Sequence, residues 1–386
     1  MESGVFKIRG KVRHYDWGGF SFIPALIGDS SPQNEPTAEY WLGAHPNDPA
    51  ELVEEGISLV ELQQNTGETP LPFLMKVLDV RGMLSIQVHP SRKRAKIGLA
   101  EEDASNIPRN HPNRNYKDAN HKPELMFALS DFWMLHGLRS KSEIVAEFHS
   151  RPSCEPLLEI LENQGMEGLV AFAVSTDHPL IKGFSEAFIE ESIHSVGVED
   201  KRNHDFWIRR WLQANPGVDR GILMILLMNL LNLRPGEAAY QPDGLIHAYL
   251  EGQNIEIMAN SDNVLRAGLT VKHIDAPELL KIARLDSTNP DDFKVNAVRD
   301  SDGIRDFAAP FEDFHLREVE IPPNSSISLD APRSQILLYL SGESIEISDG
   351  EKNIDMIPGE ACYVAKDTSI QFSNNSFRTA QVFIGS

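Results

Sequence analysis

Polar and apolar residues alternate along residues 83–90, which read Met-Leu-Ser-Ile-Gln-Val-His-Pro. Alternation with a period of two predicts a β-strand with one polar face, and Pro90 ends it because proline lacks the backbone donor that a sheet needs. The polar face would carry Ser85, Gln87 and His89. Gln87 and His89 are therefore candidate metal ligands, although a half-exposed strand with two solvated side chains would give the same pattern.

A polar-to-apolar transition at residues 115–129 adds a carboxylate to this set. Lys122 and Glu124 stand two positions apart where the apolar strand begins, so their side chains should leave it on the same side. Carboxylate, imidazole and amide oxygen together suit zinc or another divalent cation. Residues 72–78 form a continuous apolar run typical of a buried strand, in which Lys76 needs a partner or a cavity.

Helical periodicity follows the first strands and fills the middle of the chain. Residues 93–105 predict one helix. Apolar residues then recur at spacings of three and four in the segments 142–148, 155–163, 179–192 and 205–214. A strand-like pattern returns at 226–233. These patterns predict a mainly β protein that is interrupted by a block of helices.

A six-residue pattern, Pro-Gly-Glu-Ala-x-Tyr, occurs at 235–240 and again at 358–363. Each copy lies between strand-like runs, which predicts two duplicated β-units. The residue seven positions after the tyrosine is His247 in the first copy and Ile370 in the second. We therefore expect a metal ligand in the first unit and a structural β-domain without a metal in the second.

The patterns divide the chain into four parts. Residues 1–139 and 225–285 are predicted to form one discontinuous β-domain that carries the site, with residues 140–224 inserted as a helical domain. Residues 286–310 are rich in aspartate, which predicts a linker or crossover. Strand-like runs at regular spacing predict a C-terminal β-domain at residues 311–386.

Charge and composition narrow the functional classes. The formal net charge of -21 argues against nucleic-acid binding, and an anionic substrate would need a local cluster of lysine and arginine. Two cysteines far apart favour a reducing compartment, and the longest apolar run is too short to cross a membrane. We expect a monomer in the cytoplasm that binds neither membrane nor nucleic acid.

Three longer motifs occur in order along the chain: Ser-Ile-Gln-Val-His-Pro at 85–90, Tyr-Lys-Asp-Ala-Asn-His-Lys-Pro-Glu at 116–124, and Asn-Ser-Asp-Asn-Val-Leu-Arg-Ala-Gly-Leu-Thr at 260–270. Together they resemble the type I mannose-6-phosphate isomerases. The resemblance runs from Tyr15 to about Asp275 and is weaker in the C-terminal part. The segment after Pro90, Ser-Arg-Lys-Arg, is longer and more basic than the family pattern.

The resemblance implies two cupin (jelly-roll) β-barrel domains, an all-α domain and one Zn²⁺ per chain in the first barrel. The implied zinc ligands are Gln87, His89, Glu124 and His247, and Arg266 falls on the family's catalytic arginine. The implied reaction interconverts mannose 6-phosphate and fructose 6-phosphate, so the partner would be a small phosphorylated sugar.

Aldose–ketose isomerisation moves a proton between two carbons through an enediolate, which a metal ion or cation stabilises. The sequence offers Lys122, Glu256 and Asp262 as acid–base candidates and does not choose among them. Arg266 suits a clamp on an oxyanion, because its planar fork binds in bidentate fashion. The expected substrate-binding residues are Ser85, Lys76 and Lys272. Two other classes stay open, a metal-dependent cupin dioxygenase and a non-catalytic sugar-binding cupin.

Overall fold

The fold is mainly β, as predicted, in a computed structural model that describes residues 4–30, 34–175, 181–195, 197–216, 221–300 and 303–386. Its strands are β1 Val5–Arg9, β2 Lys11–Arg13, β3 Glu39–Gly43, β4 Glu51–Leu52, β5 Phe73–Val80, β6 Ile86–Val88, β7 Glu124–Ala128, β8 Phe132–Leu138, β9 Met228–Leu233, β10 Ala238–Gln241, β11 His247–Ala259, β12 Leu265–Gly268, β13 Lys294–Val295, β14 Val298–Arg299, β15 Arg305–Phe307, β16 Leu316–Ile321, β17 Ser325–Ala331, β18 Gln335–Ser341, β19 Ile345–Ser348, β20 Asn353–Met356, β21 Ala361–Val364, β22 Thr368–Asn374 and β23 Ala380–Gly385.

The helices concentrate between β8 and β9, where the sequence predicts a helical block. They are α1 Phe22–Leu26, α2 Leu59–Thr66, α3 Arg92–Ala104, α4 Lys141–His149, α5 Glu155–Val174, α6 Ile181–Ile193, α7 His204–Ala214, α8 Ile222–Leu227 and α9 Ala276–Ile282, with 3₁₀ turns at Pro152–Cys154 and Pro290–Phe293. Residues 179 and 180 of the predicted third segment lie outside the described residues. None of the described helices is both long and apolar enough to cross a membrane.

One boundary prediction is wrong. The run 226–233 is not a strand throughout, because residues 226 and 227 end α8 and β9 begins at Met228. Every residue of α8 is buried and apolar, so residues 226 and 227 lie in a stretch that lacks the polar–apolar alternation by which a strand is told from a helix.

Three sheets are formed by the described strands. The first runs β13-β10-β7-β11-β5-β3-β2 and is extended by β6, β8, β9 and β12. The second runs β14-β15-β16-β23-β18-β21-β1-β4, and the third runs β17-β22-β19-β20. β1 thus pairs with β21, near the other end of the chain, and the predicted linker 286–310 contributes β13 to the first sheet and β14 and β15 to the second. The predicted domain division stays a prediction.

The first two sheets pack face to face through one face of each strand. On β5, Phe73, Met75 and Val77 belong to this shared core, and the rings of Phe127 and Phe383 meet there with centroids 4.8 Å apart. Burying one such aromatic side chain contributes about 1.5–3 kcal/mol. Because successive residues of a strand alternate between faces, the remaining side chains of the same strands point to the opposite face of the first sheet, away from the second sheet.

The repeated pattern forms the same turn twice. Gly236 and Gly359 have positive φ angles of 91° and 89°. The carboxylate of Glu237 accepts the backbone N–H of Arg234 at 2.7 Å, and that of Glu360 accepts the N–H of Ile357 at 2.9 Å. After each turn the strand pairs antiparallel with an equivalent neighbour, β10 with β7 and β21 with β18. The repeated pattern therefore forms the same turn and the same kind of strand pairing in both places, and the duplication of whole β-units stays a prediction.

Candidate metal centre and active site

Three of the four predicted metal ligands meet inside the first sheet. His89 follows β6, Glu124 begins β7 and His247 begins β11, and all three are buried. The Nε2 atoms of His89 and His247 each lie 3.3 Å from a different oxygen of Glu124. Among the described residues, this is the group of histidine, cysteine and carboxylate side chains close enough to hold a metal ion.

The hydrogen bonds of the two imidazoles fix which nitrogen is available. The Nδ1 atom of His89 lies 2.8 Å from the carbonyl oxygen of Asn263, and that of His247 lies 2.9 Å from the carbonyl oxygen of Leu245. A carbonyl oxygen only accepts, so Nδ1 carries the proton and the lone pair of Nε2 points at Glu124. Burial, with Lys122 nearby, lowers the pKa of His89 to about 4 and keeps it neutral.

This arrangement fits a cation. The buried Nε2 of His89 has no hydrogen-bond partner among the described residues, and it faces a carboxylate that is also an acceptor. Two imidazole lone pairs and a carboxylate converging on one point are the donor set of a three-residue zinc site with an open position.

Gln87 lies beside this group, in the centre of β6. It is directly opposite His247 on one neighbouring strand and Arg266 on the other, so the three side chains share a face. Gln87 is half-buried and its side chain makes no hydrogen bond to a described residue. Its amide oxygen is therefore free to join the metal centre.

A buried ion pair stands next to the metal centre. Lys76 on β5 is opposite Glu256 on β11, and its Nζ atom lies 3.0 Å from Glu256 Oε1 and 3.8 Å from Glu39 Oε2. The other oxygen of Glu256 accepts the hydroxyl of Tyr249 at 2.8 Å. Burial opposes the charge of Lys76, but Glu256, Glu39 and Glu124 outweigh it and hold its pKa above the ordinary value. The partner that the sequence requires for Lys76 is thus present.

The two other acid–base candidates are held differently. Lys122 Nζ lies 2.9 Å from Glu124 Oε1, and burial is outweighed by Lys122 and His89, which hold the pKa of Glu124 well below its ordinary value. Asp262 accepts the side-chain N–H of Asn47 at 2.6 Å and lies 3.6 Å from His45 Nε2. Lys122 therefore contacts a metal-ligand candidate, whereas Asp262 stands in a separate pair.

The fold and this geometry agree with comparisons to known proteins. A family model described as "Phosphomannose isomerase type I, catalytic domain" matches residues 5–141. The mannose-6-phosphate isomerase of Salmonella typhimurium is 33% identical over 98% of this chain and 99% of its own, and that of Homo sapiens is 30% identical over 88% of each. The chain belongs to the type I phosphomannose isomerase family. A crystal structure of a family member bound with zinc and yttrium superposes with a TM-score of 0.88, at 30% identity over 99% of both chains.

Three cations, Arg266, Lys117 and Lys272, lie near the candidate metal centre and form no ion pair with the described residues. Arg266 is half-buried and makes no ion pair with a described residue, and burial lowers its pKa. Burial, then the nearby charges of Arg266 and Lys117, lower the pKa of the exposed Lys272. Arg266, Lys272 and Lys117 together form a local positive cluster of the kind that this acidic chain needs in order to bind an anionic substrate.

Ser85 is half-buried, and the part of the chain that the structure describes offers its hydroxyl no hydrogen bond. By strand alternation it leaves the chain on the same side as Gln87. Its hydroxyl is therefore available to a ligand next to the metal centre.

The loop that brings Lys122 and Glu124 to the site is fastened by Asn263, which is fully buried. Its Oδ1 accepts the backbone N–H of Lys117 at 2.7 Å and that of Asp118 at 3.2 Å. Its Nδ2 donates to the carbonyl oxygens of Asp118 and Asn120 at 2.9 and 2.8 Å. Asn263 thus fastens this loop with its side chain and orients His89 with its backbone.

The C-terminal part of the chain also reaches the rim of the site. Asp313 lies 2.8 Å from His121 Nε2 and 2.6 Å from an Nη atom of Arg92. Burial is outweighed by Asp243 and Asp313, which raise the pKa of His121. The basic segment after Pro90 is thus tied to the second β-unit.

Sequence reasoning missed Glu39, Tyr249, Asn263 and Asp313. Two of them carried a signal: Glu39 is a lone carboxylate in a strand whose five residues are all buried, and Tyr249 stands two positions after His247, on the same strand. Asn263 lies within the third motif but resembles an ordinary turn residue. Nothing near Asp313 points to the site, because its partners are 192 and 221 positions away.

Proposed function

We propose that the chain is an aldose–ketose isomerase that interconverts mannose 6-phosphate and fructose 6-phosphate. The observation that carries the proposal is the convergence of His89, Glu124 and His247 on one point, beside the cations Arg266 and Lys272. A metal-binding face and unpaired cations in one place fit a substrate that has both a reacting carbonyl and a phosphate. The relatives from Salmonella typhimurium and Homo sapiens, which match over 98% and 88% of this chain, are named mannose-6-phosphate isomerase.

The resident metal in this proposal is one Zn²⁺ per chain, held by Gln87, His89, Glu124 and His247. Neutral imidazole, carboxylate and amide oxygen are ligands that zinc accepts. When bound, zinc would supply a Lewis acid next to the oxygens on which negative charge develops.

The protein's own residues then bind the sugar and move the proton. Arg266 serves as the catalytic clamp on an oxyanion, and Lys272, Ser85 and Lys76 contribute to substrate binding. The proton between the two carbons is carried by Lys122, Glu256 or Asp262. Both oxygens of Glu256 accept hydrogen bonds, one from Lys76 and one from Tyr249, whereas Asp262 is half-exposed.

The finer points of the architecture belong to the same proposal. The two β-units are cupin-type barrels, with the catalytic one formed by residues 1–139 and 225–285, the helical insertion by 140–224, the linker by 286–310 and the second barrel by 311–386. The protein acts in the cytoplasm as a monomer, without nucleic-acid or membrane partners.

The test is turnover of mannose 6-phosphate to fructose 6-phosphate before chelation, after chelation and after zinc is restored. We expect activity to disappear and return. Activity that persists in protein shown by metal analysis to be free of zinc would remove the metal from the mechanism. No activity in fully loaded protein would overturn the isomerase assignment.

A pair of histidine variants controls for general damage. His247→Ala should lose metal binding and turnover, whereas His149→Ala, at an exposed position at the end of α4, should keep both.

The acid–base candidates can be separated by exchange of the transferred hydrogen with deuterated solvent. The substitutions are Lys122→Met, Glu256→Gln and Asp262→Asn, each in zinc-loaded protein. The residue that carries the proton is the one whose loss abolishes both turnover and exchange. If every variant keeps exchange, the shuttle is a different group.

A further inference from the structure

A cavity of about 930 Å³ is lined mainly by residues of the second β-unit. Its lining includes Asp306, Phe311, Phe314, Arg317, Arg333 and Gln335. Polar and charged groups together with aromatic rings line its wall. A cavity of this size holds a small organic molecule, and its walls offer both hydrogen bonds and an apolar surface.

The cavity lies where the candidate active site lies in the first unit. After the first repeated turn, Gln241 of β10 is opposite Glu124 of β7; after the second, Val364 of β21 is opposite Gln335 of β18. The two repeats are in register at these positions, because Gln241 and Val364 each directly follow the tyrosine of the repeat. Gln335 thus occupies the position of the metal-ligand candidate Glu124.

The same correspondence continues across the sheet. In the first unit β7 pairs with β11 and β11 with β5, where Glu256 is opposite Lys76. In the second, β18 pairs with β23 and β23 with β16, where Ile384 is opposite Arg317. Arg317 therefore takes the place of Lys76, and an isoleucine takes the place of its carboxylate partner.

The remaining metal-ligand positions have become apolar. Gln87 is opposite His247 in the first unit, and Leu329 is opposite Ile370 in the second. The second unit has therefore kept a cation and exchanged the metal-binding side chains for an amide and aliphatic groups. This set of residues suits direct binding of a polar molecule.

Two side chains of the cavity have buried atoms that make no hydrogen bond to the described residues. Gln335 is 1% exposed, yet neither its amide oxygen nor its amide nitrogen is hydrogen-bonded. The buried Nε atom of Arg317 also has no hydrogen bond, and Arg333 forms no ion pair within the described ranges. Leaving a buried polar group without a hydrogen bond is unfavourable, so the side chains of Gln335 and Arg317 favour a ligand that bonds to them.

The carboxylates of the cavity limit which ligand it takes. Asp306 lies 2.6 Å from His315, and Asp330 accepts the hydroxyl of Ser369 at 2.6 Å. Glu312 is exposed at the edge. A compact inorganic anion would be repelled by these groups, whereas hydroxyl groups can donate to them.

We propose that this cavity is a second small-molecule site, which binds a polyhydroxylated molecule with one anionic group, the class to which sugar phosphates belong. The anionic group pairs with Arg317 and Arg333. Hydroxyl groups bond to the amide of Gln335 and to the carboxylates, and the C–H surface of the carbon skeleton packs on Phe311 and Phe314.

The test counts sites by titration calorimetry with sorbitol 6-phosphate, a sugar phosphate that has no carbonyl to isomerise. The variants are Gln335→Leu and Arg317→Met, and the controls are Gln371→Leu and Arg378→Met at exposed positions outside the cavity. We expect each cavity variant to bind one molecule fewer per chain than the wild type, and each control to match the wild type. An unchanged number of sites in both cavity variants would overturn the proposal.

Two further probes test the ligand class. Mannose and inorganic phosphate should each bind the cavity at least tenfold more weakly than sorbitol 6-phosphate. Binding to the cavity is the part of the calorimetric heat that is present in the wild type and absent from Gln335→Leu. Equal binding of either probe would contradict the combined requirement for hydroxyl groups and an anion.

This test is independent of the proposed isomerase activity. If the first unit did not bind the probe, the wild type would have one site and Gln335→Leu would have none. That result would contradict the proposed function but support the second site. Thermal melting of each variant shows that it is folded. Gln335→Leu should melt no lower than the wild type without ligand, because it removes two unpartnered buried groups.

Discussion

The Nδ1 atom of His89 donates to the carbonyl oxygen of Asn263, 174 positions further along the chain. The side chain of Asn263 meanwhile fastens the loop that ends at Glu124. One residue thus fixes two metal-ligand candidates that lie on different strands.

Asn263→Ala should weaken zinc binding by about 10-fold, because groups that orient metal ligands contribute on this scale. It should also lower the free energy of unfolding of the zinc-free protein by roughly 2–4 kcal/mol, since buried backbone groups lose their partners. Zinc competition with a chelator and urea denaturation measure the two effects. Asn113→Ala, at an exposed position, should change neither. Wild-type zinc affinity in Asn263→Ala would contradict the positioning role.

Gln87→Ala should lower zinc affinity and leave the fold intact. The side chain is half-buried and makes no hydrogen bond to the described residues, so its loss removes a ligand without breaking a network. The measurement is zinc occupancy against increasing chelator, with Gln64→Ala on the exposed side of α2 as the control. Full occupancy at the chelator concentration that half-empties the wild type would rule out Gln87 as a ligand.

The pair Lys76 and Glu256 should behave as one unit in a double-mutant cycle. Lys76→Met or Glu256→Leu alone leaves a buried charge with a weaker partner and should cost about 3–5 kcal/mol of unfolding free energy. The double variant should cost clearly less than the sum, because neither charge is then left behind. Chemical denaturation of zinc-free protein measures this; additive costs would mean that the two charges do not stabilise each other.

His121 should make stability depend on pH. Because Asp243 and Asp313 outweigh burial and raise its folded pKa, its contribution is complete below the unfolded pKa, near 6.5, and is lost as the pH rises through the folded pKa. Asp313→Asn should therefore destabilise the protein more at pH 5.5 than at pH 9, by on the order of 1 kcal/mol. Asp291→Asn, an exposed control, should show no such difference. Parallel stability curves for wild type and Asp313→Asn would refute the coupling.

The two repeated glycines should differ in their tolerance of alanine. Both have φ near +90°, so each substitution should cost about 1–2 kcal/mol in backbone strain. At Gly359 an added methyl group would also collide with the carbonyl oxygen of Leu26, whereas at Gly236 the nearest atom, on Arg305, is 4.0 Å away. Thermal melting should show Gly359→Ala to be the more damaging substitution; equal losses would mean that the Leu26 contact relaxes freely.

The sequence predicts local elements and motif residues, but not contacts between distant segments. Alternation identified the strand around Gln87, and the apolar run around Lys76 identified a fully buried strand. The partners of these residues depend on strand register, which periodicity does not contain. Glu39 and Asp313 therefore escaped detection, since one reaches Lys76 across a sheet and the other reaches His121 from the second β-unit. The helical residues 226 and 227 escaped because they lie in the unbroken apolar stretch 222–228, in which buried helices and buried strands look alike.

The position of β1 has a consequence for how the molecule assembles. Val5 pairs with Val364, so β1 completes its sheet only when a segment more than 300 residues further along the chain has been synthesised. Such distant pairings fold slowly, because a long loop must close before they form. Until then the exposed edge of β1 is available to other chains, and the second sheet is the part of the protein for which slow synthesis or chaperone protection matters most.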